Sequence, residues 1–319
     1  MSKPLVSVVI PTHNRAHLLG RAISTVLEQT VQDFELIVVD DCSSDDTEAV
    51  VSDIGDSRIR YLRHDQNKGG SAARNTGIDA STAPYVAFLD SDDEWLPEKL
   101  ERQLEVFSED GNGSLGLVYC RLAVVRDGVV EVGEEPALRG RMHRQILMFQ
   151  YGPPTSTYCV SRDVFDRGIR FDSTFPAFQD WDFLLQVSRQ FDVDAANEAL
   201  VRQHRIADEP RVWSGRNVVR ALELITSKYG DELDADPSLC MEFSKKASAF
   251  SYAAGDMGAA RAYALRGMKA QPFAVSIYPW IMASTLGRRP FAGFLRARKA
   301  MKKPRQRPRS AAASSRTNV

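Results

Sequence analysis

Leu5-Val6-Ser7-Val8-Val9-Ile10-Pro11-Thr12-His13-Asn14-Arg15 is the stretch that decides the fold. Its first six residues form a short, largely β-branched run, and Leu19, Ala22, Ile23, Val26 and Leu27 then recur at helical spacing. The chain therefore opens as strand, loop, helix, and the pattern repeats. Phe34 to Val39 reads as a second strand, followed by a turn rich in Asp and Ser and a helix from near Asp46 with acids in its first turn, where they suit the helix dipole. Arg58 to Leu62 is a third strand, leading through Gly69-Gly70 into a helix around Ser71 to Ala80. Tyr85 to Leu89 is a fourth, after which Pro97 opens a helix with Leu100, Leu104 and Phe107 on one face. Nearly continuous apolar strands alternating with helices predict an α/β fold with a mostly parallel sheet covered on both faces. Ligands of such sheets bind beyond the carboxyl ends of the strands. At those ends lie Pro11-Thr12-His13-Asn14-Arg15, Asp40-Asp41 and Asp90-Ser91-Asp92-Asp93, all polar and two of them acidic.

The 319 residues, 43% hydrophobic, suffice for one large α/β domain and an appendage. From about Trp213 the pattern is helical only. Val218, Leu222, Ile225 and Tyr229 form one stripe closed by Gly230, and Phe243, Ala247, Phe250 and then Ala260, Ala264, Met268 give two more helices. The expected division is an α/β domain over 1–212, a helical appendage over 213–301 and a disordered basic tail over 302–319. Residues 288–319 hold eleven Lys or Arg and no acid, so against a whole-chain charge of −1 the first 287 residues carry −12. Cys42, Cys120, Cys159 and Cys240 lack metal or redox spacing and read as reduced thiols of a cytoplasmic protein. The first apolar run is too short for a signal peptide, and no run approaches the roughly 18 apolar residues of a membrane span.

Three carboxylates within four residues at Asp90-Ser91-Asp92-Asp93 repel one another unless a cation neutralises them. Hard oxygen donors with phosphate completing the shell suit Mg²⁺ or Mn²⁺. A helix N-terminus capped by Asp is the bland alternative. Asp40 and Asp41 could accept hydrogen bonds from a nucleobase or ribose, or merely build a capped turn. Arg74, downstream of Asn67-Lys68-Gly69-Gly70, could pair with diphosphate oxygens or bridge to Asp41 or Asp92; Arg15 faces the same choice.

The ordered series Val8 to Arg15, Val38-Val39-Asp40-Asp41, Asn67-Lys68-Gly69 with Arg74-Asn75, and Phe88 to Trp95 resembles the inverting glycosyltransferases of family 2, whose fold is of the GT-A type. The likeness continues through Phe171-Asp172 and Gln179-Asp180-Trp181-Asp182 to Arg202-Gln203-His204, spanning about residues 5 to 210. It implies a nucleotide-diphosphate sugar donor, with UDP favoured, and a DxD motif of Asp90 and Asp92 in which Asp92 is the direct metal ligand. It further implies that Asp41 contacts the nucleobase, that Pro11, Thr12 and Arg15 border the nucleotide, that His204 lies near the metal or diphosphate, and that Asp180 is the general base. Gln179 stands where the family commonly has Glu, removing one charge beside that base.

Loss of a nucleoside diphosphate builds charge that a metal stabilises, and the attacking hydroxyl needs a base. One base, one metal and no evident covalent nucleophile predict a single displacement with inversion. Trp95 and Trp181 could stack on sugar faces or pack in the core. Gly152 to Thr157 falls where an acceptor pocket is plausible. A saccharide or lipid-linked acceptor is expected, with no nucleic acid. The aromatic and basic mixture from Ile277 through Leu295 and beyond suits peripheral contact with an anionic membrane, or a solubilising tail. A nucleotidyltransferase would carry a glycine-rich loop after the first strand, which Pro11 to Arg15 lacks. A non-catalytic nucleotide-sugar scaffold is the reading from another class.

Overall fold

The computed structural model describes residues 3–302 except 112, 127, 133–138, 150–151 and 205–214. From residue 303 on, the tail expected to be disordered lies outside the described residues, as does the expected boundary at 212–213.

The alternation read from the sequence is present. β1 (Val6–Thr12), α1 (Ala16–Leu27), β2 (Phe34–Asp40), α2 (Thr47–Ile54), β3 (Ile59–Arg63), α3 (Gly70–Ala80) and β4 (Tyr85–Phe88) follow in order. β5 (Asp93–Trp95), α4 (Lys99–Ser108), β6 (Leu115–Arg126), β7 (Val129–Val132), α5 (His143–Leu147), β8 (Cys159–Ser161), α6 (Arg162–Asp166), α7 (Gln179–Gln190) and β9 (Asp192–His204) complete the α/β part. The helical part comprises α8 (Gly215–Lys228), α9 (Gly230–Ala235), α10 (Pro237–Ala253), α11 (Met257–Ala270), α12 (Tyr278–Leu286) and α13 (Arg288–Lys302).

One sheet runs in the order β3-β2-β1-β4-β8-β6-β9-β5, with β7 paired to β6. The expected parallel pairing holds throughout the first half of the sheet and again between β6 and β9. β3, β2, β1 and β4 are parallel, whereas β8 runs antiparallel to both β4 and β6, and β5 antiparallel to β9. β6 and β9 are parallel but bulged, with register shifts at Leu115/Leu117 and around Cys120 to Leu122.

Apolar side chains cover both faces of the central strands, and Val8, Val9, Ile10, Leu36, Ile37 and Val38 are wholly buried. One layer sets β1 and β2 against α1 and α4 through Leu19, Ile23 and Leu100; the other sets Val9, Ile37 and Phe88 against α3 and α7. α3 lies so close to β1 that a Cβ on Gly77 would fall 2.3 Å from Val9, so only glycine fits there. This packing brings the ends of β1, β2 and β4, the start of α3 and the start of α7 to one side of the sheet.

Candidate active site

Asp40 and Asp41 end β2, but they do different things. Asp40 is fully buried. Its Oδ1 accepts from the Ser43 N–H and hydroxyl, and its Oδ2 accepts from the Tyr61 hydroxyl with the Arg63 guanidinium 3.7 Å away. The expectation that Asp40 contacts substrate is therefore corrected: a carboxylate with both oxygens taken and no surface exposed ties the β2 turn to β3. Asp41 accepts from the N–H groups of Lys68 at 2.8 Å and Gly69 at 2.6 Å, and its Oδ1 lies 2.7 Å from His64 Nδ1. Burial works to raise its carboxyl, but those two amides and the imidazole hold it below the ordinary carboxylate value. Asp41 thus fixes the Asn67-Lys68-Gly69 loop, in which Asn67 and Lys68 are exposed and Gly69 takes φ 87° at the start of α3. His64 is the part of this device that sequence reading missed; its Nε2 lies 2.9 Å from the Thr76 hydroxyl on α3.

The β1 loop is laced to the β2 loop. The Asn14 N–H donates to Ser43 Oγ, the Ser44 N–H donates to Asn14 Oδ1, and the Ala16 N–H donates to Asp45. Asn14 sits at φ 52°, the turn that carries the chain into α1. Pro11 and Arg15 are partly exposed on this rim, while Thr12 is buried with its hydroxyl lacking a hydrogen-bond partner.

Arg74 on the first turns of α3 forms a charge-assisted pair with Asp90, a carboxylate other than the Asp41 and Asp92 to which the sequence suggested a bridge. Its Nε is buried and has no hydrogen-bond partner. Asn75 beside it grips the Phe171 backbone, donating to the carbonyl at 2.8 Å and accepting from the N–H at 3.0 Å. Asp90 and Asp92 keep part of their surface open, whereas Asp93 is buried and accepts from Ser156 Oγ at 2.6 Å. Burial, then the charges of Asp90 and Asp92, push the Asp93 carboxyl well up. Ser156 also accepts from the Asp90 N–H and passes its carbonyl to Trp95 Nε1. Thr155, Ser156 and Thr157 are buried, so this part of the Gly152 to Thr157 segment braces the acidic loop, while Gly152 is exposed.

Antiparallel pairing of β5 with the end of β9 carries His204 to the same loop. Its Nε2 is 2.9 Å from Glu94 Oε1 but angled off a hydrogen bond, and so counts as a buried nitrogen without one. Glu94 is held in turn by Arg21 Nε at 3.0 Å. Among the described residues no three His, Cys, Asp or Glu side chains form a closed metal cage. The donors present are two partly exposed carboxylates and an imidazole nitrogen with no hydrogen bond. They fit an open site for a hard cation that shares its shell with a ligand.

Asp180 lies in the first turn of α7, after Phe178 at φ 60°. It keeps some surface open yet is densely surrounded. Burial raises its carboxyl above the ordinary value against the pull of the Trp181 N–H and Arg74, and Asp90 adds to the rise. Arg74 therefore stands electrostatically between Asp90 and Asp180. Trp181 is only 4% exposed, donates from Nε1 to the Ile146 carbonyl and stacks on Phe149 at 4.3 Å, so it is a core residue and not a sugar platform. Trp95 is likewise buried, with the Lys99 ammonium 3.6 Å over its ring. Trp181's neighbour Asp182 is wholly buried and held by Tyr229 and Lys228 at the end of α8 and just beyond it, a link that nothing in the sequence announced.

The chain matches the sequence profile of glycosyl transferase family 2 over residues 7–168. Over 130 residues it is 43% identical to the Escherichia coli UDP-Glc:alpha-D-GlcNAc-diphosphoundecaprenol beta-1,3-glucosyltransferase WfgD, covering 41% of this chain and 50% of that protein. Over 109 residues it is 41% identical to the putative teichuronic acid biosynthesis glycosyltransferase TuaG of Bacillus subtilis, covering 34% of this chain and 43% of the relative. The chain thus spans about half the length of these relatives or less. In fold it is similar to S. aureus TarS 1–349 in complex with UDP-GlcNAc, with a TM-score of 0.64 at 19% identity, covering 92% of this chain and 81% of that one. The α/β scaffold with its helical extension has the GT-A fold, and the chain belongs to glycosyl transferase family 2.

Proposed function

We propose that this glycosyltransferase moves a sugar from a UDP-sugar to a hydroxyl of a lipid-linked saccharide, with inversion at the anomeric carbon. The observation that carries the reading is the convergence of Asp90, Asp92, Arg74 and Asp180 at the carboxyl ends of the strands, where ligands of such sheets bind. Two relatives' names support the substrates: WfgD is named for UDP-Glc and a diphosphoundecaprenol acceptor, and TarS was crystallised with UDP-GlcNAc.

Asp180 is the general base. Its raised pKa makes it a better proton acceptor than an ordinary carboxylate. Among the polar groups here none is placed as a covalent nucleophile with its own activating base, so a single displacement is the reading. The nucleotide lies along the β1 and Asn67-Lys68-Gly69 loops, bordered by Pro11, Thr12, Arg15 and Lys68, with Asp41 as the anchor that shapes its base subsite. Asp92, with Asp90 and His204, would hold Mn²⁺ or Mg²⁺. Bound there, the cation would stabilise the charge that develops on the departing diphosphate. Arg74 keeps Asp90 oriented and tempers the charge between it and Asp180. The eleven Lys and Arg of residues 288–319 favour the anionic face of a membrane as the place where the acceptor is met.

The test is a product assay with a panel of UDP-, GDP- and dTDP-sugars, Mn²⁺ or Mg²⁺, and a lipid-diphosphate saccharide. Release of nucleoside diphosphate from one donor, dependent on metal and lost in Asp92→Ala and Asp180→Asn, is expected. Metal-dependent nucleotide binding without turnover on any acceptor would favour the scaffold reading instead.

A further inference from the structure

α12 is apolar on both of its faces. Trp280, Ala283 and Ser284 on one side are buried against α13 and α11, where Trp280 packs on Phe291 and Phe294 at 6.0 and 5.0 Å. Half of the aromatic stretch singled out from the sequence is therefore the core of a helical hairpin. The opposite side carries Tyr278, Met282 and Leu286 at successive turns, exposed by 44, 62 and 66%. Just before the helix, Phe273 and Val275 extend this ridge at 95 and 80% exposure. Residues 270–287 contain no charged side chain at all. Elsewhere among the described residues, the exposed large apolar side chains are Leu5 and three valines of β7.

A helix apolar all round is ordinarily buried all round. Contiguous exposed apolar surface marks an interaction site. Charge decides among occupants. The ridge passes directly into α13, where Arg289 and Arg296 are exposed, and on into a segment with eleven Lys and Arg and no acid over 288–319. A second copy would bring two such basic segments together, which like-charge repulsion opposes. An anionic lipid surface satisfies both halves at once, with apolar side chains entering the acyl boundary and cations meeting headgroups.

We infer that the ridge Phe273, Val275, Tyr278, Met282 and Leu286 is a membrane-docking surface that inserts into the interface of an anionic bilayer, with the exposed arginines of α13 meeting the headgroups. The inference deepens the lipid-linked acceptor reading, and it is tested without donor or acceptor, so either can fail alone.

The experiment is co-sedimentation of the full chain with vesicles of phosphatidylcholine alone and of phosphatidylcholine mixed with phosphatidylglycerol. It is run for wild type, for Met282→Glu/Leu286→Glu and for Arg289→Gln/Arg296→Gln. Wild type should bind the mixed vesicles and not the neutral ones. The apolar-to-acid pair should weaken binding by about tenfold or more, since two inserted side chains are lost. The arginine pair should weaken it less, with residual binding more resistant to salt. All the substituted side chains are exposed, so melting temperature should not move. Failure of wild type to sediment with anionic vesicles, or equal binding by the apolar-to-acid pair, overturns the inference. So does concentration-dependent self-association that the same pair abolishes, with no vesicle binding, because the ridge would then be a contact between copies.

Discussion

Burial opposes the charged form of Asp180 and raises its carboxyl above the ordinary value. Its folded-state pKa is raised above the unfolded value, so the charged form costs stability at neutral pH, and this cost disappears as pH falls below the ordinary carboxylate range. Asp180→Asn keeps an oxygen for the Trp181 N–H and removes the charge. It should lower kcat by about two to four orders of magnitude. In the same variant the melting temperature should rise at pH 7, a gain that closes on acidification. A variant no more stable than wild type at pH 7 would contradict the burial argument even if activity were lost. Arg74 pulls the Asp180 pKa down, so Arg74→Met should move the acidic limb of the rate profile to higher pH. Lys99 gives a second pH signature. Wholly buried, its ammonium has a pKa lowered by burial to about 8. Between that value and the unfolded 10.5 the unfolded chain binds the extra proton, so stability should rise with pH across this window. Denaturant titrations of wild type and Lys99→Met should show that rise in the first protein only. In the fold this ammonium meets the Trp95 ring and the Tyr158 carbonyl, 3.3 Å away.

At the scale of elements, α7 is the piece whose placement matters most, and the helical part holds it. Asp182 Oδ1 accepts from the Tyr229 hydroxyl at 2.7 Å, and its Oδ2 meets Lys228 Nζ at 2.9 Å and Gln186 at 2.8 Å. Asp180 sits two residues earlier in the same first turn. Tyr229→Phe removes one donor from a buried carboxylate, which should destabilise the chain by about 1–3 kcal/mol. If α7's first turn is positioned through this contact, kcat should fall while the donor KM holds, and Lys228→Arg should retain what Lys228→Met loses. Equal losses in kcat and KM, or none, would restrict the contact to stability. These contacts also mark where sequence reading stops. β1 to β4 and their helices were legible because each strand is a nearly unbroken β-branched run and each helix carries its own apolar stripe. β8 and the five-residue α5 and α6 were not, because they are too short to show a period, and their direction is fixed by strands far along the chain. Three acids in four residues at a strand end stood out by charge alone. Ser156, His64 and Tyr229 did not, since each is an ordinary residue made important by a partner between 23 and 66 positions away.

The molecule as a whole does not divide where composition changes. The sequence suggests an α/β domain ending at 212 with a helical appendage packed on it, because the strand pattern stops and helices begin. Yet one continuous apolar cluster runs from Val9, Ile37 and Phe88 through Trp181 and Phe183 to Val218, Leu222, Ile225, Tyr229, Phe243 and Ala247, all buried. Phe149 stacks on Trp181 and on Phe243 of α10 at 5.6 Å, so the face of α7 opposite the sheet is finished by the helical part. Composition could not show this, because apolar stripes on two helices look the same whether they face each other or a third element. Each of those large side chains contributes about 1.5–3 kcal/mol when fully buried. Removing their partners therefore withdraws more than the whole margin of about 5–15 kcal/mol that holds a typical domain folded. A chain cut after residue 212 should accordingly be insoluble or lack a cooperative transition, whereas one cut after residue 302 should melt with the full-length protein. The full chain should unfold in a single calorimetric transition through 3–270. Two resolved transitions, or a soluble and cooperatively folded 1–212 fragment, would mean that the shared cluster is an interface between independently stable parts.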